Sequence, residues 1–296
     1  MNIPLDINEV VISRLGAFVN DKPLAADFVA PLWGVIVDTE TTGLDPAVDR
    51  VVEIGLVPFA FCLVTGAICA APDQAVSLLQ DPHMPIAPGA SAVNGIYDAD
   101  VRGKSIDWHA VSELLGDANL IIAHNAAFDR PMIRKELQIA GALSEDDQEN
   151  TRWGCTLKQI DWDANCQTPS RQLEVLCLWH GFFYSAHRAV NDCWATLALL
   201  QVSRTLPELY KAAQQPTWKV WADGAIFEVK DKLKGRRVGK AKYTWEGKPG
   251  RNAWGIELDS RELVDLELKW LQAEIYGRQP SRAAVLTIPP HLRFIG

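Results

Sequence analysis

Several features that would set a special architecture are missing from this chain of 296 residues. No apolar run approaches the roughly 18 residues of a membrane-spanning helix. The N-terminal residues carry no basic stretch followed by an apolar one, so we expect no secretion signal. Internal repeats and low-complexity tracts are also absent, which excludes solenoids and disordered segments of biased composition. We therefore expect a globular, cytoplasmic protein with no membrane partner.

Cysteine pairs at metal-binding spacing are missing as well. The six cysteines form no Cys-x-x-Cys motif and lie among apolar neighbours. This pattern disfavours both a zinc site and a disulfide framework. We predict reduced thiols within the core.

The chain also lacks a positive net charge, but the balance differs along its length. In total, 29 Lys and Arg oppose 37 Asp and Glu, a net charge of -8, and an acidic surface repels a polyanion. Residues 214–296 nevertheless carry 15 basic against 10 acidic side chains, whereas residues 1–213 carry 14 against 27. A polyanionic partner is therefore still compatible with the C-terminal part.

The composition changes near residues 206–216, where two prolines close a long helical pattern. Before this point, apolar periodicity predicts strands over 33–37, 51–63 and 120–123 and helices over 108–115, 129–140, 173–180 and 189–204. Strands followed by alternating strands and helices favour an α/β class. We predict a leader over 1–30, an α/β domain with a mixed central sheet flanked by helices over 31–213, and a small basic, Trp-rich α+β domain over 214–296.

Carboxylates follow the first buried strand. Asp38 and Glu40 come directly after Val35-Ile36-Val37, and alternation along a strand places both side chains on one face. Two crowded carboxylates repel unless a cation joins them, and oxygen ligands of this type suit Mg²⁺ or Mn²⁺. A solvated turn is the alternative interpretation of this pair.

Two more segments carry candidate groups. Asp129 precedes Pro131, and proline is tolerated in the first turn of a helix, so we expect Asp129 at a helix N-terminus facing the sheet edge; a simple helix cap is the alternative. His187 and Asp192 lie five residues apart and converge only if His187 precedes the helix that carries Asp192. A histidine beside a carboxylate is the arrangement of a general base, although an ordinary surface or core histidine fits the same spacing.

Taken in order, these residues resemble the DEDD exonuclease superfamily in its histidine-containing, DnaQ-like branch. The first motif is similar to that family's Asp-x-Glu-Thr-Thr-Gly, the second to its His-Asn-x-x-Phe-Asp and the third to its His-x-Ala-x-x-Asp. The resemblance covers roughly residues 33–202, including Val52-Glu53-Ile54-Gly55, and extends to bacterial proofreading-subunit-like and exonuclease X-like proteins. One departure is Asn94-Gly95-Ile96, where such proteins often carry His-Gly-Ile on the product side of the site.

The resemblance implies an RNase H-like fold and a 3′–5′ exonuclease that removes nucleotides from DNA 3′ ends. Two Mg²⁺ ions, replaceable by Mn²⁺, would be held by Asp38, Glu40, Asp129 and Asp192, and His187 would act as general base. The expected substrate contacts come from Thr41, Thr42, Gly43, Asn125 and Phe128. For Phe128, packing of its helix is the alternative.

The C-terminal domain carries basic residues interleaved with Tyr243, Trp245 and Trp254, a pattern typical of nucleic-acid contact. The candidates are Lys232, Lys234, Arg236, Arg237, Lys240 and Lys242. The alternative, compatible with the first, is a tryptophan core beneath solvated lysines. At the level of function, an exoribonuclease and an accessory subunit whose residues 214–296 recruit a polymerase or another protein stay open, as does a homo-oligomer.

Overall fold

The computed structural model describes residues 13–14, 30–143, 152–248 and 251–295. The chain divides into two compact units. Unit 1 comprises residues 1–213 and 294–296, and unit 2 comprises residues 214–293. The last three residues therefore group with unit 1, although we expected them in the second domain. Of the leader expected over 1–30, only residues 13, 14 and 30 lie within the described part of the chain.

Unit 1 is built on a mixed sheet with the strand order β4-β3-β2-β6-β7, in which β5 also pairs with β3. The strands of this sheet are β2 (Leu32–Thr41), β3 (Val51–Phe61), β4 (Ile68–Ala70), β5 (Val76–Leu79), β6 (Leu120–Ala123) and β7 (Trp153–Cys155). Two short strands, β1 (Ser13–Arg14) and β8 (Phe182–Phe183), pair in parallel as a separate sheet. The pairing of β2 with β3 is antiparallel, whereas β2, β6 and β7 run parallel. This confirms the predicted mixed sheet.

Helices lie on both faces of this sheet. They are α1 (Pro88–Asn94), α2 (Asp98–Val101), α3 (Trp108–Gly116), α4 (Ala126–Ile139), α5 (Thr156–Gln159), α6 (Trp162–Cys166), α7 (Leu173–Trp179), α8 (Ala189–Ser203) and α9 (Leu206–Gln214). Ile36 of β2 belongs to the apolar cluster that contains α8, whereas Val35 and Val37 belong to the cluster that contains α3 and α4. Since side chains alternate along a strand, Asp38 continues the α8 face and Thr39 the α4 face.

The start of α4 differs from the prediction. The helix begins at Ala126, three residues before the expected start, and Pro131 lies inside it. The rule that places proline in the first turn moved the predicted start too far along the chain, because a helix can continue through a proline when other contacts hold it. Asp129 nevertheless stays in the first turn, as expected.

Unit 2 is an antiparallel four-stranded sheet of order β12-β13-β9-β14 with a helix packed on it. Its elements are β9 (Thr217–Trp221), α10 (Lys230–Gly235), β10 (Arg237–Val238), β11 (Ala241–Lys242), β12 (Thr244–Lys248), β13 (Arg251–Leu258), α11 (Arg261–Leu271) and β14 (Ala284–Ile288). Val220, Ile256 and Val264 are fully buried between sheet and helix, and Trp218, Trp254 and Trp270 pack around them. The predicted α+β class is confirmed.

Neither a disulfide nor a membrane-spanning helix is found among the described residues. Within that part of the chain, the six cysteines form no disulfide, and five of them are buried. No described helix is long and apolar enough to cross a bilayer.

Candidate functional site

Three carboxylates converge at the end of β2. Asp38 and Glu40 lie on the face of β2 that α8 covers, and Asp192 lies in the first turn of α8. One carboxylate oxygen from each residue lies within 4.8 Å of the others. Asp38 and Glu40 thus share a face, as the strand alternation predicts.

Burial and mutual repulsion shift the protonation of this group. Burial, followed by the charge of Asp129, raises the pKa of Asp38 well above its usual range. Burial and the neighbouring Asp192 raise the pKa of Glu40 to about 7. Burial also raises the pKa of Asp192, against hydrogen bonds that lower it. Oxygen donors with uncompensated negative charge fit a divalent cation, whose binding would relieve the repulsion.

Asp129 reaches the same strand from the opposite face. Its Oδ1 accepts hydrogen bonds from the backbone N–H of Thr39 at 3.0 Å and from the Thr39 hydroxyl at 2.9 Å. Thr39 lies between Asp38 and Glu40 in β2. These hydrogen bonds therefore connect Asp129 to the residue between the other two acids. Burial raises the pKa of Asp129 to about 7, although the Thr39 hydrogen bonds oppose this shift.

Asp192 is held by donors that precede it in the chain. Its Oδ1 accepts from the Tyr184 hydroxyl at 2.7 Å, and its Oδ2 accepts from the backbone N–H of Arg188 at 3.2 Å. Sequence reasoning did not identify Tyr184. The signal available was weak, because a tyrosine eight residues before an aspartate has no regular spacing to it.

His187 precedes α8, as the spacing argument requires, and its backbone adopts the left-handed conformation with φ of +65°. The imidazole is half exposed, and its Nε2 lies 3.7 Å from Oε1 of Glu174 on α7. Burial raises the pKa of Asp192, and a positive charge on His187 would act against this shift.

The loop after β2 uses its own side chains for internal contacts. Thr41 and Thr42 are buried, and their hydroxyls donate to the Gly43 carbonyl and to Oδ1 of Asp49, respectively. A Cβ atom at Gly43 would lie 2.5 Å from the Asp49 carboxylate, so a side chain at this position would displace that carboxylate. Because both hydroxyls donate hydrogen bonds within the loop, Thr41 and Thr42 would contact a substrate mainly through their backbone.

The N-cap and the first turn of α4 contain the other expected substrate residues, Asn125 and Phe128. Asn125 is exposed, whereas Phe128 is partly buried against the apolar cluster of the α4 face. His124 is held between the Thr156 hydroxyl at 2.7 Å and the Arg171 carbonyl at 2.9 Å. Burial lowers the pKa of His124 to about 4, so at neutral pH this histidine is an uncharged structural link.

Two buried polar residues beside the site were not predicted. The Asn94 side chain donates to the Glu40 carboxylate and lowers its pKa; it occupies the departure from the family pattern, and that was the available signal. Glu53 lies directly opposite Glu40 in the β2–β3 register and is fully buried. The signal for Glu53 was a charged residue in an otherwise apolar strand.

In unit 2, one of the expected nucleic-acid contacts is engaged elsewhere. The Arg236 guanidinium donates to the buried Glu267 carboxylate at 2.8 Å and lies over the Trp270 ring. A buried carboxylate requires a paired cation, so Arg236 has a structural role within unit 2, and its contact with a polyanion stays a prediction. Lys234, Lys240 and Lys242 are exposed.

The other two basic candidates are also exposed but have contacts within unit 2. The Lys232 Nζ lies 3.0 Å from Oε2 of Glu274, and the Arg237 guanidinium donates to the carbonyls of Lys234 and Arg236. The exposed ion pair between Lys232 and Glu274 contributes little free energy. Lys232 can therefore exchange this contact for another at little cost.

The aromatic side chains of unit 2 also include both buried and exposed residues. Tyr243 is buried and donates to Glu267, and Trp254 packs against the core. Trp245 is exposed, and so is Phe227, whose ring lies 3.8 Å from the Lys230 Nζ. Phe227 was not among the predicted contacts.

Two bacterial DNA polymerase III proteins are similar to this chain in sequence. The PolC-type DNA polymerase III of Thermotoga petrophila is 35% identical over 102 residues, which is 34% of this chain but only 7% of the polymerase. The DNA polymerase III subunit epsilon of Treponema pallidum is 35% identical over 172 residues, covering 55% of this chain and 72% of that protein.

Solved structures show the same fold. Exonuclease I of E. coli in complex with a dT13 oligonucleotide has a TM-score of 0.54 at 17% identity, over 88% of this chain and 64% of that one. A family described as exonuclease matches residues 35–200, more than half of the sequence. The match includes all three acidic motifs and His187. The chain therefore belongs to the exonuclease family, whose members are divalent-metal-dependent nucleases.

Proposed function

We propose that this chain is a metal-dependent 3′–5′ exodeoxyribonuclease that hydrolyses phosphodiester bonds at DNA 3′ ends. The observation that carries the proposal is the convergence of Asp38, Glu40 and Asp192 within 4.8 Å, with Asp129 attached to the same strand through Thr39. Membership of the exonuclease family supports the reaction class.

The donor set fits divalent cations. Asp38, Glu40, Asp129 and Asp192 would hold two Mg²⁺, for which Mn²⁺ substitutes, because hard cations take carboxylate oxygens. When bound, such cations would lower the pKa of the attacking water and stabilise the charge on the departing 3′ oxygen. Both Thr39 hydrogen bonds are accepted by Oδ1 of Asp129, and the two oxygens of Asp192 accept from Tyr184 and Arg188, so lone pairs of both carboxylates would remain for a cation.

His187 would accept the proton of the attacking water. Its position before α8 and its half-exposed ring allow the imidazole to reach solvent and substrate. Glu174, 3.7 Å away, would stabilise the imidazolium that forms. A general base of this kind contributes about 10²- to 10⁴-fold to the rate.

The nucleotide at the 3′ end would lie against the loop after β2 and the turn before α4. Hydrogen bonds inside the loop fix the backbone of Thr41, Thr42 and Gly43, so a contact through that backbone needs little reorganisation. Asn125 is exposed at the adjacent turn, and the partly buried Phe128 would present its ring edge to a base.

Unit 2 would bind the nucleic-acid backbone through Lys232, Lys234, Arg237, Lys240 and Lys242. Their exposure and the excess of basic residues in this part of the chain support this role. Trp245 and Phe227 offer exposed rings for stacking on unpaired bases. A polymerase or another protein as the partner of residues 214–296 is the competing proposal, and epsilon subunits among the relatives favour it.

A comparison of DNA and RNA substrates with one variant tests the proposal. Asp38→Asn should lower the rate on single-stranded DNA by more than about 100-fold, beyond the usual cost of losing an outer-shell partner of a metal site. Glu113→Gln, which neutralises an exposed acid on α3, is the control and should leave the rate unchanged. Faster degradation of RNA than of DNA would overturn the DNA assignment. Equal rates for the wild type and Asp38→Asn would overturn the enzyme assignment and favour an accessory role.

A further inference from the structure

Glu53 is a carboxylate without a place among the predicted metal ligands. It lies on β3 opposite Glu40, with 0% of its side chain exposed. Its Oε1 accepts from Arg188 Nη2 at 2.9 Å and from the Ser77 hydroxyl, and its Oε2 accepts from Arg188 Nε at 3.1 Å and from the Ala189 N–H at 3.2 Å. A carboxylate has about four lone-pair sites, so these donors saturate it.

The pKa of Glu53 agrees with a carboxylate whose lone pairs are all occupied by donors. Burial alone would raise the pKa of Glu53, but hydrogen bonds from Arg188 and Ser77 lower it below its ordinary value. Glu53 is therefore an anion with its own counter-charge, unlike Asp38 and Glu40. It does not need a metal ion and has no oxygen site left to offer one.

Two of the donors belong to the beginning of α8. Arg188 is the residue before the helix, and its own side chain caps no helical amide; the Ala189 N–H is one of the amides that a helix leaves unsatisfied. A negative charge at this end is favoured by the helix dipole. Glu53 supplies that charge from a neighbouring strand, 136 residues away from Ala189.

Gly55, two residues after Glu53 on β3, also lies close to the helix backbone. A Cβ atom at Gly55 would lie 2.4 Å from the backbone of Ala189 and Val190. The Cys193 thiol donates to the Gly55 carbonyl at 3.3 Å. The first turn of α8 therefore rests directly on the Glu53–Gly55 segment, with no intervening side chain at Gly55.

Arg188 connects this contact to Asp192. Arg188 binds Glu53 through its guanidinium and Asp192 through its backbone N–H, at 3.2 Å. Without a cation, Asp192 is repelled by Asp38 and Glu40, so an attachment is needed to keep it beside them. We propose that Glu53 and Arg188 are positioning residues that hold Asp192 in the arrangement that binds a divalent cation. This inference rests on the metal site of the proposed function.

A purely structural role for the pair predicts a loss of stability alone. Unit 2 contains a matched pair for comparison. Glu267 is also fully buried, and it accepts from the Arg236 guanidinium at 2.8 Å and from the Tyr243 hydroxyl at 3.1 Å. Glu267→Gln thus removes the charge of a buried carboxylate that is likewise bound by a guanidinium and a hydroxyl, but in the other unit.

The test is direct binding of Mn²⁺ to the full chain without substrate, measured by electron paramagnetic resonance, with thermal unfolding measured in parallel. Outer-shell partners of metal ligands change metal affinity by about 10- to 100-fold, so Glu53→Gln should weaken Mn²⁺ binding by about 10-fold or more. Glu267→Gln should lower the unfolding temperature and leave the Mn²⁺ Kd unchanged. Arg188→Lys, at a half-exposed position, should also weaken binding, and it keeps the test available if Glu53→Gln fails to fold.

The outcomes separate this inference from the proposed function. A Kd for Mn²⁺ within twofold of the wild type in both Glu53→Gln and Arg188→Lys would overturn the positioning role. If the wild type shows no saturable Mn²⁺ binding, or if Asp38→Asn binds Mn²⁺ as the wild type does, the proposed metal site itself is wrong.

Discussion

Two kinds of carboxylate stand side by side at the end of β2, and their hydrogen-bond partners distinguish them. Glu53 is saturated by donors, and its pKa is lowered. Asp38 and Glu40 are less enclosed, yet their pKa values are raised by burial and by neighbouring acids. A residue with a raised pKa in an acidic cluster is a candidate ligand, whereas a saturated one is a candidate support. Burial alone would not have separated the two roles.

At the same scale, His187 gives a prediction about rate. His187→Ala should lower the exonuclease rate by about 10²- to 10⁴-fold, the usual contribution of a general base. The variant should keep the Mn²⁺ affinity of the wild type, because the carboxylates are unchanged. Single-turnover kinetics and Mn²⁺ binding check the two parts.

Glu174→Gln is the companion variant for His187. It removes the carboxylate that faces the imidazole at 3.7 Å, so we expect a smaller loss of rate and an altered pH profile. A His187→Ala rate within threefold of the wild type would contradict the role of general base.

At the scale of elements, local patterns predicted much of unit 1. The strand over 120–123 was predicted with the bounds that β6 has, and the strands predicted over 33–37 and 51–63 correspond to β2 and β3, which pair antiparallel. The carboxylates of the site were predicted because alternation and helix entry are local properties. Contacts between distant segments were not: the Glu53–Arg188 pair joins residues 135 positions apart, and nothing in either local sequence specifies the other.

The close approach of α8 to β3 can be tested at Gly55. Gly55→Ala places a methyl group 2.4 Å from the helix backbone, so the helix must move. Overpacking of this kind costs about 1–3 kcal/mol, and displacement of Asp192 should weaken Mn²⁺ binding as well. Denaturant unfolding and Mn²⁺ titration measure both effects.

Gly89 provides the matched control for this substitution. It lies in α1, and a Cβ atom there meets no atom within 4 Å. Gly89→Ala should therefore change the free energy of unfolding by no more than about 0.5 kcal/mol. If Gly55→Ala changed the free energy of unfolding as little as Gly89→Ala, the close contact of α8 with β3 would be wrong.

At the scale of the whole molecule, the two parts of the chain have opposite charge. The net charge of -8 combines an acidic residue range 1–213 with a basic range 214–296. The acidic part contains the carboxylates of the candidate metal site, and a bound cation would reverse the sign of the local field. Net charge for the whole chain therefore says little about a polyanionic partner.

Salt dependence of binding tests the basic surface of unit 2. Each phosphate contact to a single strand contributes about -0.7 to the slope of log K against log salt. The triple variant Lys234→Gln, Lys240→Gln, Lys242→Gln should reduce the magnitude of that slope by about 2, measured by fluorescence anisotropy with labelled single-stranded DNA.

A variant with the same change in net charge is the control. Lys104, Lys211 and Lys269 are exposed lysines outside this cluster, and their replacement by glutamine should leave the slope close to the wild-type value. Equal slopes for the two triple variants would show that Lys234, Lys240 and Lys242 contribute net charge only.

The raised pKa values also predict how stability depends on pH. Glu40 and Asp129 have pKa values of about 7 in the folded, metal-free protein and about 4 when unfolded. Because the folded state holds these protons more tightly, this stabilisation is present below about pH 4 and is lost as pH rises through about 7.

The unfolding temperature measured in a chelator should therefore fall between pH 5 and pH 8. Mg²⁺ should raise it more at pH 8 than at pH 5, because the cation binds the ionised carboxylates. Asp38→Asn, which removes one acid from the cluster, should flatten the metal-free profile. A metal-free profile with no fall over this range would contradict the assigned pKa shifts.

The most direct test of the central claim is a time course of the purified full chain on 5′-labelled single-stranded DNA with Mg²⁺, resolved at single-nucleotide resolution. A 3′–5′ exonuclease gives a ladder of labelled products that shorten step by step, and the ladder should be absent with a chelator and in Asp38→Asn. Immediate release of labelled mononucleotide, internal cleavage products, or an unchanged ladder in Asp38→Asn would contradict the account.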